Sequence, residues 1–174
     1  MISRATGIDV LRAARAMIGR TDVNFHSVSH SDGLVCIDIF VLACEAAGIP
    51  FRDLMRRLYR QNPNAFPADS GPPADVNFPR RIRNVIAFLN ALGLWHANGQ
   101  GAPGDLITFG DGPGEPAHSG VVGDISIEVV KTAVMATIYG GPPAVREVDL
   151  AAYLAMHPEF FIAGYGNPPG LSVY

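Results

Sequence analysis

The sequence predicts an α+β fold in which helices from the first half of the chain pack on a small antiparallel β-sheet from the second half. Apolar residues recur at helical spacing up to about residue 92. From residue 105 onwards, short runs rich in β-branched and aromatic residues alternate with Gly, Pro and Asp turns. No internal repeat is visible, so helices followed by strands indicate an α+β layout.

The whole chain, residues 1–174, is predicted to be a single domain. It has 174 residues, of which 48% are hydrophobic, and this is enough for one core. The 19 glycines and 14 prolines gather in the middle and at the end of the sequence. This distribution indicates long ordered loops.

Four helices are expected in the first half. The first covers residues 7–19 behind a Thr6 cap, and its apolar face consists of Ile8, Leu11, Ala14 and Ile18. The second begins at Val35, is apolar almost all round, and stops at Gly48 and the proline that follows. It is therefore expected to be buried and to end at a glycine C-cap, with Cys36 in its first turn.

The third helix is an exposed one over residues 51–61, and the fourth is opened by Pro79 and ended by Gly93. Between them, residues 62–78 form a proline-rich connection without periodicity, which is typical of a cleft wall or a mobile segment. A short helix is expected over residues 148–156. The strands are predicted to pair as an antiparallel meander and lie in DLITFG, HSGVVGD, ISIEVV, TAVMATIYGG and EFFIAGYG.

Charge and composition exclude several functional classes. The formal net charge is −3 and the arginines form only brief groups, so nucleic acid is not an expected partner. The longest apolar stretch carries Asp38 and Glu45 and is too short to span a membrane. Metal-binding HExxH and Cys-x-x-Cys motifs and a phosphate-binding glycine loop are absent from the sequence, so no metal or other cofactor is expected.

Cys36 is the residue best placed for chemistry. At a helix N-terminus, unpaired N–H groups and the helix dipole favour a thiolate. A nucleophilic thiol also needs a proton acceptor, and His118, at the start of a predicted strand, is the best candidate among the five histidines. His26 and His30, in the loop before Cys36, are candidates to line a site, whereas a buried cysteine that only packs remains the alternative to a catalytic one.

Cys44 is interpreted as a packing residue. Eight residues along one helix separate it from Cys36 by about 12 Å, which is too far for a disulfide. Asp105, in the sequence PGDLI, is interpreted as a turn residue at the start of a strand.

The motifs in their order resemble a known superfamily. The segments GLVCIDIFVLACEAAGI, PGDLITF and AHSGVVGD follow one another from residue 33, and the resemblance extends to about residue 141. Together they resemble the NlpC/P60-type cysteine peptidases, which have a papain-like fold, and most closely an uncharacterised bacterial branch with Cys-x-Asp at the helix start. The sequence DVNFPRRIRNVIAFLNALG is similar to the segment that joins the two halves in that branch.

The resemblance implies that Cys36 is the nucleophile and that His118 is the general base and later acid. It implies hydrolysis of amide bonds through a thioester, with backbone N–H groups at the helix start stabilising the oxyanion. The superfamily has a third polar residue, often histidine, on the next strand. Here that strand offers Thr137 as the preferred orienting residue, and Asp124 is a more distant alternative.

Three other residues are expected to contact substrate: Asp38, His30 and Tyr139. For Asp38 two interpretations stay open. A carboxylate in the first turn stabilises a helix through its dipole. It is equally suited to bind the amine of a peptide or to bond a loop that shapes the cleft.

The leading functional hypothesis is a cysteine hydrolase that cleaves peptidoglycan peptides as an endopeptidase or amidase. No export signal is visible, so the protein is expected to be made in the cytoplasm and delivered to the periplasm or cell wall, as an antibacterial effector or a lysis protein, unless a signal was trimmed from the chain. A toxin of this kind would have an immunity or inhibitor protein as partner. The alternatives are a cytosolic amidase, deamidase or acyltransferase acting on protein or lipid, and a catalytically degenerate module that binds muropeptide or protein.

Overall fold

A computed structural model of the chain describes residues 6–24, 33–111, 116–127 and 129–170. The described helices are α1 (Gly7–Arg15), α2 (Asp38–Ala46), α3 (Phe51–Gln61), α4 (Ile82–Ala91) and α5 (Leu150–Met156). The strands are β1 (Trp95–His96), β2 (Leu106–Gly110), β3 (Pro116–Val122), β4 (Ile125–Ser126), β5 (Val129–Val130), β6 (Thr132–Thr137), β7 (Ala144–Asp149) and β8 (Phe161–Gly166). The α+β prediction is confirmed at this level.

Six strands form one antiparallel sheet in the order β1-β8-β2-β3-β6-β7, while β4 and β5 form a separate hairpin. The predicted meander is wrong in two respects: the last strand, β8, lies between β1 and β2, and the segment ISIEVV, predicted as one strand, forms the separate β4–β5 hairpin. The short strand β1 was not predicted. The prediction also missed β7. This strand carries Arg146 and Glu147, whose charges hide its apolar alternation.

The helices of the first half of the chain lie on one face of this sheet, and α5 lies on the other. Alternate residues of a strand point to opposite faces, and accordingly Leu106 and Val121 pack with α1, α2 and α4, whereas Ile107 and Val122 pack with α5. The helices of the first half therefore form one layer and α5 begins the other. Strand β3 contributes side chains to both layers. The candidate site lies at this strand, which carries His118 and Ser119.

The predicted helix ends agree with local capping chemistry. Thr6 caps α1 through a reciprocal capping box with Asp9. Gly48 adopts a φ of 89° after α2, a conformation that only glycine takes up without strain. However, α1 ends at Arg15 rather than residue 19, because the chain turns there and Gly19 N–H bonds the Val145 carbonyl of β7 at 3.0 Å.

The connection over residues 62–78 is ordered by aromatic packing. The rings of Tyr59, Phe66 and Phe78 contact one another with centroids 5.1 to 5.4 Å apart. Pro79 was predicted to open a helix, but it lies in a separate 3₁₀ turn, Phe78–Arg80, and α4 begins at Ile82. Within the described residues, no helix is long and apolar enough to cross a membrane.

The Pro-Gly-Asp segment forms the turn that leads into β2. Asp105 accepts a hydrogen bond from the Ala102 N–H at 2.7 Å, which confirms its interpretation as a turn residue. Gly104 has a φ of 90°, and a Cβ at this position would lie 1.8 Å from the Gly7 carbonyl oxygen. The motif therefore brings the start of α1 against the start of β2.

Candidate active site

Cys36 lies in the turn that precedes α2, two residues before the first helical residue, Asp38. The sequence predicted Cys36 in the first turn of the helix, but it lies just before the helix. The N-cap residue is Ile37, which makes no side-chain capping bond. The turn is closed by a hydrogen bond from Asp38 N–H to the Val35 carbonyl at 3.0 Å. Cys36 is half-buried, whereas Cys44 is buried in the core as expected for a packing residue.

The Cys36 thiol lies against β3 at Ser119. Burial raises the pKa of this thiol and the Asp38 carboxylate adds to that, while the Ser119 hydroxyl and the backbone N–H groups of Ile37 and Ser119 lower it. The net effect is a raised pKa, so desolvation outweighs the stabilisation expected from the end of the helix. Ser119 Oγ itself is buried and completes no hydrogen bond of standard geometry.

His118, the neighbour of Ser119 on β3, is 8% exposed and lies in an aromatic stack. Its ring centroid is 6.1 Å from that of Phe109 and 6.4 Å from that of Phe160. Burial lowers the pKa of His118 to about 4, and the nearby His157 contributes to the shift. The imidazole is therefore neutral at neutral pH.

The surroundings of the His118 ring act on its pKa in opposite directions. Burial has the largest effect and lowers the pKa, whereas a hydrogen bond to the backbone carbonyl of Ala136 favours the protonated ring and raises it. Nε2 is buried without a hydrogen-bond partner of standard geometry. In a neutral imidazole one ring nitrogen is unprotonated, and it has the lone pair that a general base needs.

Cys36 contacts Ser119, the residue next to His118 on β3, but the thiol and the imidazole do not bond each other. Strand alternation turns Ser119 towards α2 and His118 towards α5, and neither imidazole nitrogen is bonded to the thiol. Tyr153 lies close to both groups. Its ring centroid is 6.3 Å from that of His118, and after burial, which has the largest effect, Cys36 contributes to raising its pKa to about 12.

Sequence reasoning missed Tyr153, Ser119 and Ala136. Tyr153 sits in the apolar helix LAAYLAM and is 3% exposed. A tyrosine on a buried helix face is a signal in itself, because its hydroxyl needs a polar neighbour. The Ala136 carbonyl has no side-chain signature and was not predictable.

Thr137, predicted to orient His118, bonds elsewhere. Its Oγ1 accepts from the Tyr139 N–H at 2.9 Å, while the backbone carbonyl of the adjacent Ala136 accepts a hydrogen bond from the imidazole. A cavity of about 220 Å³ opens beside these residues. Its lining consists of Ala117, His118, Ala136, Thr137, Ile138, Tyr153, His157 and Phe160.

The other predicted site residues lie at different distances from this centre. Tyr139 is half-buried and packs edge-on against Tyr153, with centroids 5.9 Å apart. Asp124 binds Arg15 at 2.8 Å and takes no part in orienting His118. His30 lies outside the described residues.

Asp38 is paired with Arg80, and both side chains line a cavity of about 240 Å³. The Asp38 side chain is 11% exposed, and its Oδ2 lies 3.0 Å from Arg80 Nη2 and accepts from the Val35 N–H at 2.9 Å. These bonds join Asp38 to the connection between α3 and α4, as in the interpretation in which it bonds a loop that shapes the cleft.

In the part of the chain that the structure describes, no group of three His, Cys, Asp or Glu side chains is close enough together to hold a metal ion. No protein-family model matches the chain, and neither a curated protein nor a solved structure was found to match it. The function is therefore argued from the site and from the order of the motifs.

Proposed function

We propose that the protein is a cysteine hydrolase that cleaves amide bonds in peptidoglycan peptides. The observation that carries this proposal is the contact of the Cys36 thiol with Ser119, the residue next to His118 on β3. A thiol and a neutral imidazole with an unprotonated nitrogen are the two groups that nucleophilic attack on a carbonyl requires.

In the proposed reaction, the unprotonated ring nitrogen of His118 takes the thiol proton and Cys36 Sγ attacks the carbonyl carbon of the substrate. Backbone N–H groups of the turn before α2 stabilise the oxyanion that forms. When the C–N bond breaks, the imidazolium gives its proton to the leaving amine and a thioester remains. His118 then takes a proton from water, which attacks the thioester and releases the acid and the thiol.

This chemistry requires the imidazole and the thiol to come within about 3 Å of each other. In the free protein the ring is bonded to Ala136 and lies in the aromatic stack. Catalytic hydrogen bonds are often long in the absence of substrate and tighten in the complex. The proposal therefore includes a rearrangement that brings His118 and Cys36 together when substrate binds.

Peptidoglycan is proposed as the substrate because the motifs resemble those of NlpC/P60-type peptidases. We propose that the helical layer and the sheet form a papain-like fold of that type. The Cys-x-Asp sequence is Cys36 and Asp38, and the histidine motif is His118-Ser119-Gly120 with two valines after it. Delivery to the cell wall as an antibacterial effector or lysis protein belongs to the same proposal.

The test is to incubate the purified protein with peptidoglycan sacculi and to identify released fragments by mass spectrometry. We expect release by the wild type and by Cys44→Ala, and a loss of at least ~10³-fold in Cys36→Ala. Cys44 is the matched control because it is a buried thiol of the same α2 segment. Equal release by wild type and Cys36→Ala would rule out the mechanism.

The second candidate is a module that binds muropeptide or protein without catalysis. It is favoured by the resting chemistry of the site, since the pKa of Cys36 is raised and that of His118 is lowered to about 4, so that no thiolate–imidazolium pair forms. This candidate predicts that wild type and Cys36→Ala bind sacculi equally and that neither releases fragments.

A further inference from the structure

Arg80 and Asp38 form a nearly buried ion pair behind the Cys36 turn. Arg80 Nε lies 3.3 Å from Asp38 Oδ1 and 3.1 Å from Oδ2, and Nη2 lies 3.0 Å from Oδ2. The exposed fractions of the two side chains are 14% for Arg80 and 11% for Asp38. A guanidinium that bonds both carboxylate oxygens is held in a fixed orientation.

The same two side chains bond the backbone of the segment that leads into Cys36. Arg80 Nη2 donates to the Gly33 carbonyl at 2.7 Å, and Asp38 Oδ2 accepts from the Val35 N–H at 2.9 Å. Cys36 therefore lies between two residues that are tied to this ion pair and a third, Asp38, that belongs to it. Its turn cannot shift without breaking several hydrogen bonds.

Arg80 is itself fixed by the connection between α3 and α4. It ends the 3₁₀ turn that starts at Phe78, a fully buried ring. Asn84 in α4 donates to the Phe78 carbonyl and to the Ser70 carbonyl, both at 2.9 Å. Packing and hydrogen bonds of the connection therefore hold Arg80 in place beside Asp38.

The ion pair also affects the charge around the thiol. The Asp38 carboxylate disfavours a thiolate on Cys36, and the guanidinium of Arg80 offsets that carboxylate. Two further arginines, Arg20 and Arg52, also interact with the Asp38 carboxylate. Tyr153 on α5 lies near the Cys36 thiol.

We propose that Arg80 is a positioning residue for Cys36, which holds the turn that carries the thiol through Gly33 and Asp38 and compensates the Asp38 charge beside it. The inference rests on the proposed function in that it treats Cys36 as the nucleophile. Its physical content, the reactivity of the thiol, can be measured without any substrate.

The test measures the rate at which iodoacetamide alkylates Cys36 between pH 6 and 10, with the modified peptide quantified by mass spectrometry. Arg80→Gln leaves the Asp38 charge uncompensated, so we expect alkylation at pH 7.5 to slow by roughly three- to tenfold and the profile to move to higher pH. Asp38→Asn removes the carboxylate and is expected to move the profile to lower pH. A loss of stability alone would not move the alkylation profile in opposite directions in the two variants.

Two further variants complete the design. Arg80→Lys keeps the charge and is expected to restore most of the rate. Arg12→Gln removes an exposed arginine of α1 that pairs with Asp9, with Nη1 and Oδ1 2.9 Å apart, and is expected to change the rate less than about twofold. Circular dichroism at each pH confirms that every variant is folded.

Identical profiles for the wild type, Arg80→Gln and Asp38→Asn would overturn the inference. If Arg80→Gln fails to fold, the alkylation profiles of Asp38→Asn and Arg80→Lys test the inference in its place. A profile of Asp38→Asn that matches the wild type again overturns the inference. If the wild type releases nothing from sacculi while the alkylation profiles shift as expected, the proposed hydrolase function fails and the positioning of the thiol stands.

Discussion

The imidazole of His118 lies nearly parallel to the ring of Phe160, with centroids 6.4 Å apart and an angle of 16° between the planes. Phe109 lies 6.1 Å from the same imidazole, at 27°. These rings exclude water from His118, and burial is the main reason that its pKa falls to about 4. The site thus holds a neutral base at the centre of an aromatic cluster.

The first prediction concerns stability in acid. In the unfolded chain a histidine takes up a proton below about pH 6.5, whereas folded His118 does so only near pH 4. The unfolded state therefore binds more protons between these values, and the free energy of unfolding should fall by up to about 1.4 kcal/mol per pH unit as the pH drops from 6.5 to 4. Urea unfolding at pH 7.5, 5.5 and 4.5 measures this slope.

The matched variant is His118→Phe, which keeps an aromatic ring in the stack and removes the titrating group. Its unfolding free energy should depend less on pH than that of the wild type. His96→Gln, at an exposed position, should keep the wild-type slope. A slope in His118→Phe as steep as in the wild type would show that another group causes the acid sensitivity.

The second prediction concerns the hydroxyl of Ser119. This hydroxyl lowers the pKa of the Cys36 thiol, so Ser119→Ala should raise that pKa and slow alkylation of Cys36 at pH 7.5 by about two- to fivefold. Stability should change by less than about 1 kcal/mol, because the hydroxyl makes no hydrogen bond of standard geometry in the resting protein.

Thr108→Val provides the control for Ser119→Ala. Thr108 is paired with Ser119 across β2 and β3, and its hydroxyl makes only a long contact of 3.5 Å with the Gly164 carbonyl. This variant should leave the alkylation rate unchanged. A slower rate in Thr108→Val would mean that the packing of the strand pair, rather than the Ser119 hydroxyl, controls the thiol.

Features set by local chemistry could be predicted from the sequence, and features set by pairing of distant segments could not. The Thr6 cap and the glycine at position 48 are local, and both were predicted. The place of β8 beside β2 depends on contacts between residues more than 50 positions apart, which no local pattern encodes. Strand β7 was missed because Glu147 is polar in sequence but is bonded by Arg15 in the fold.

The same distinction holds within the candidate site. Cys36 and His118 were identified as candidates because each lies in a motif of its own. The contact of Cys36 with Ser119 and the bond from His118 to the Ala136 carbonyl join separate elements and became visible only in the fold. Arg80 likewise stood out in the sequence only as part of a short basic run. In the fold it bonds the carbonyl of Gly33, five residues before α2.

The third prediction concerns Thr137. Because its Oγ1 accepts from the Tyr139 N–H at 2.9 Å, Thr137→Val should cost about 1–2 kcal/mol of stability by leaving that N–H without its partner. Hydrolysis should change less than about threefold, since the Ala136 carbonyl still orients the imidazole. Thr137→Ser keeps the hydroxyl and should recover the stability.

Thermal unfolding and fragment release from sacculi together check this prediction. A loss of release beyond tenfold in Thr137→Val, with release recovered in Thr137→Ser, would instead return Thr137 to the orienting role that the motif resemblance implies.

The fourth prediction concerns the ring that covers His118. Burial has the largest effect on the pKa of His118, and Phe160 is half-buried at the edge of the cavity beside it. Phe160→Ala should admit water to the imidazole and so raise its pKa from about 4 towards the ordinary value of a histidine. An NMR titration of the His118 ring follows this shift directly.

Phe161→Ala is the control for Phe160→Ala, because Phe161 is the next residue, is 50% exposed and packs on Gly110 at the other side of the strand pair. It should leave the titration of His118 unchanged. With Phe160 removed, the higher pKa makes His118 a stronger base but leaves a larger fraction of it protonated in acid. Hydrolysis by Phe160→Ala should therefore lose activity at a higher pH than the wild type as the solution is acidified. Superimposable titrations of His118 in the wild type and in Phe160→Ala would mean that the stack does not control the base.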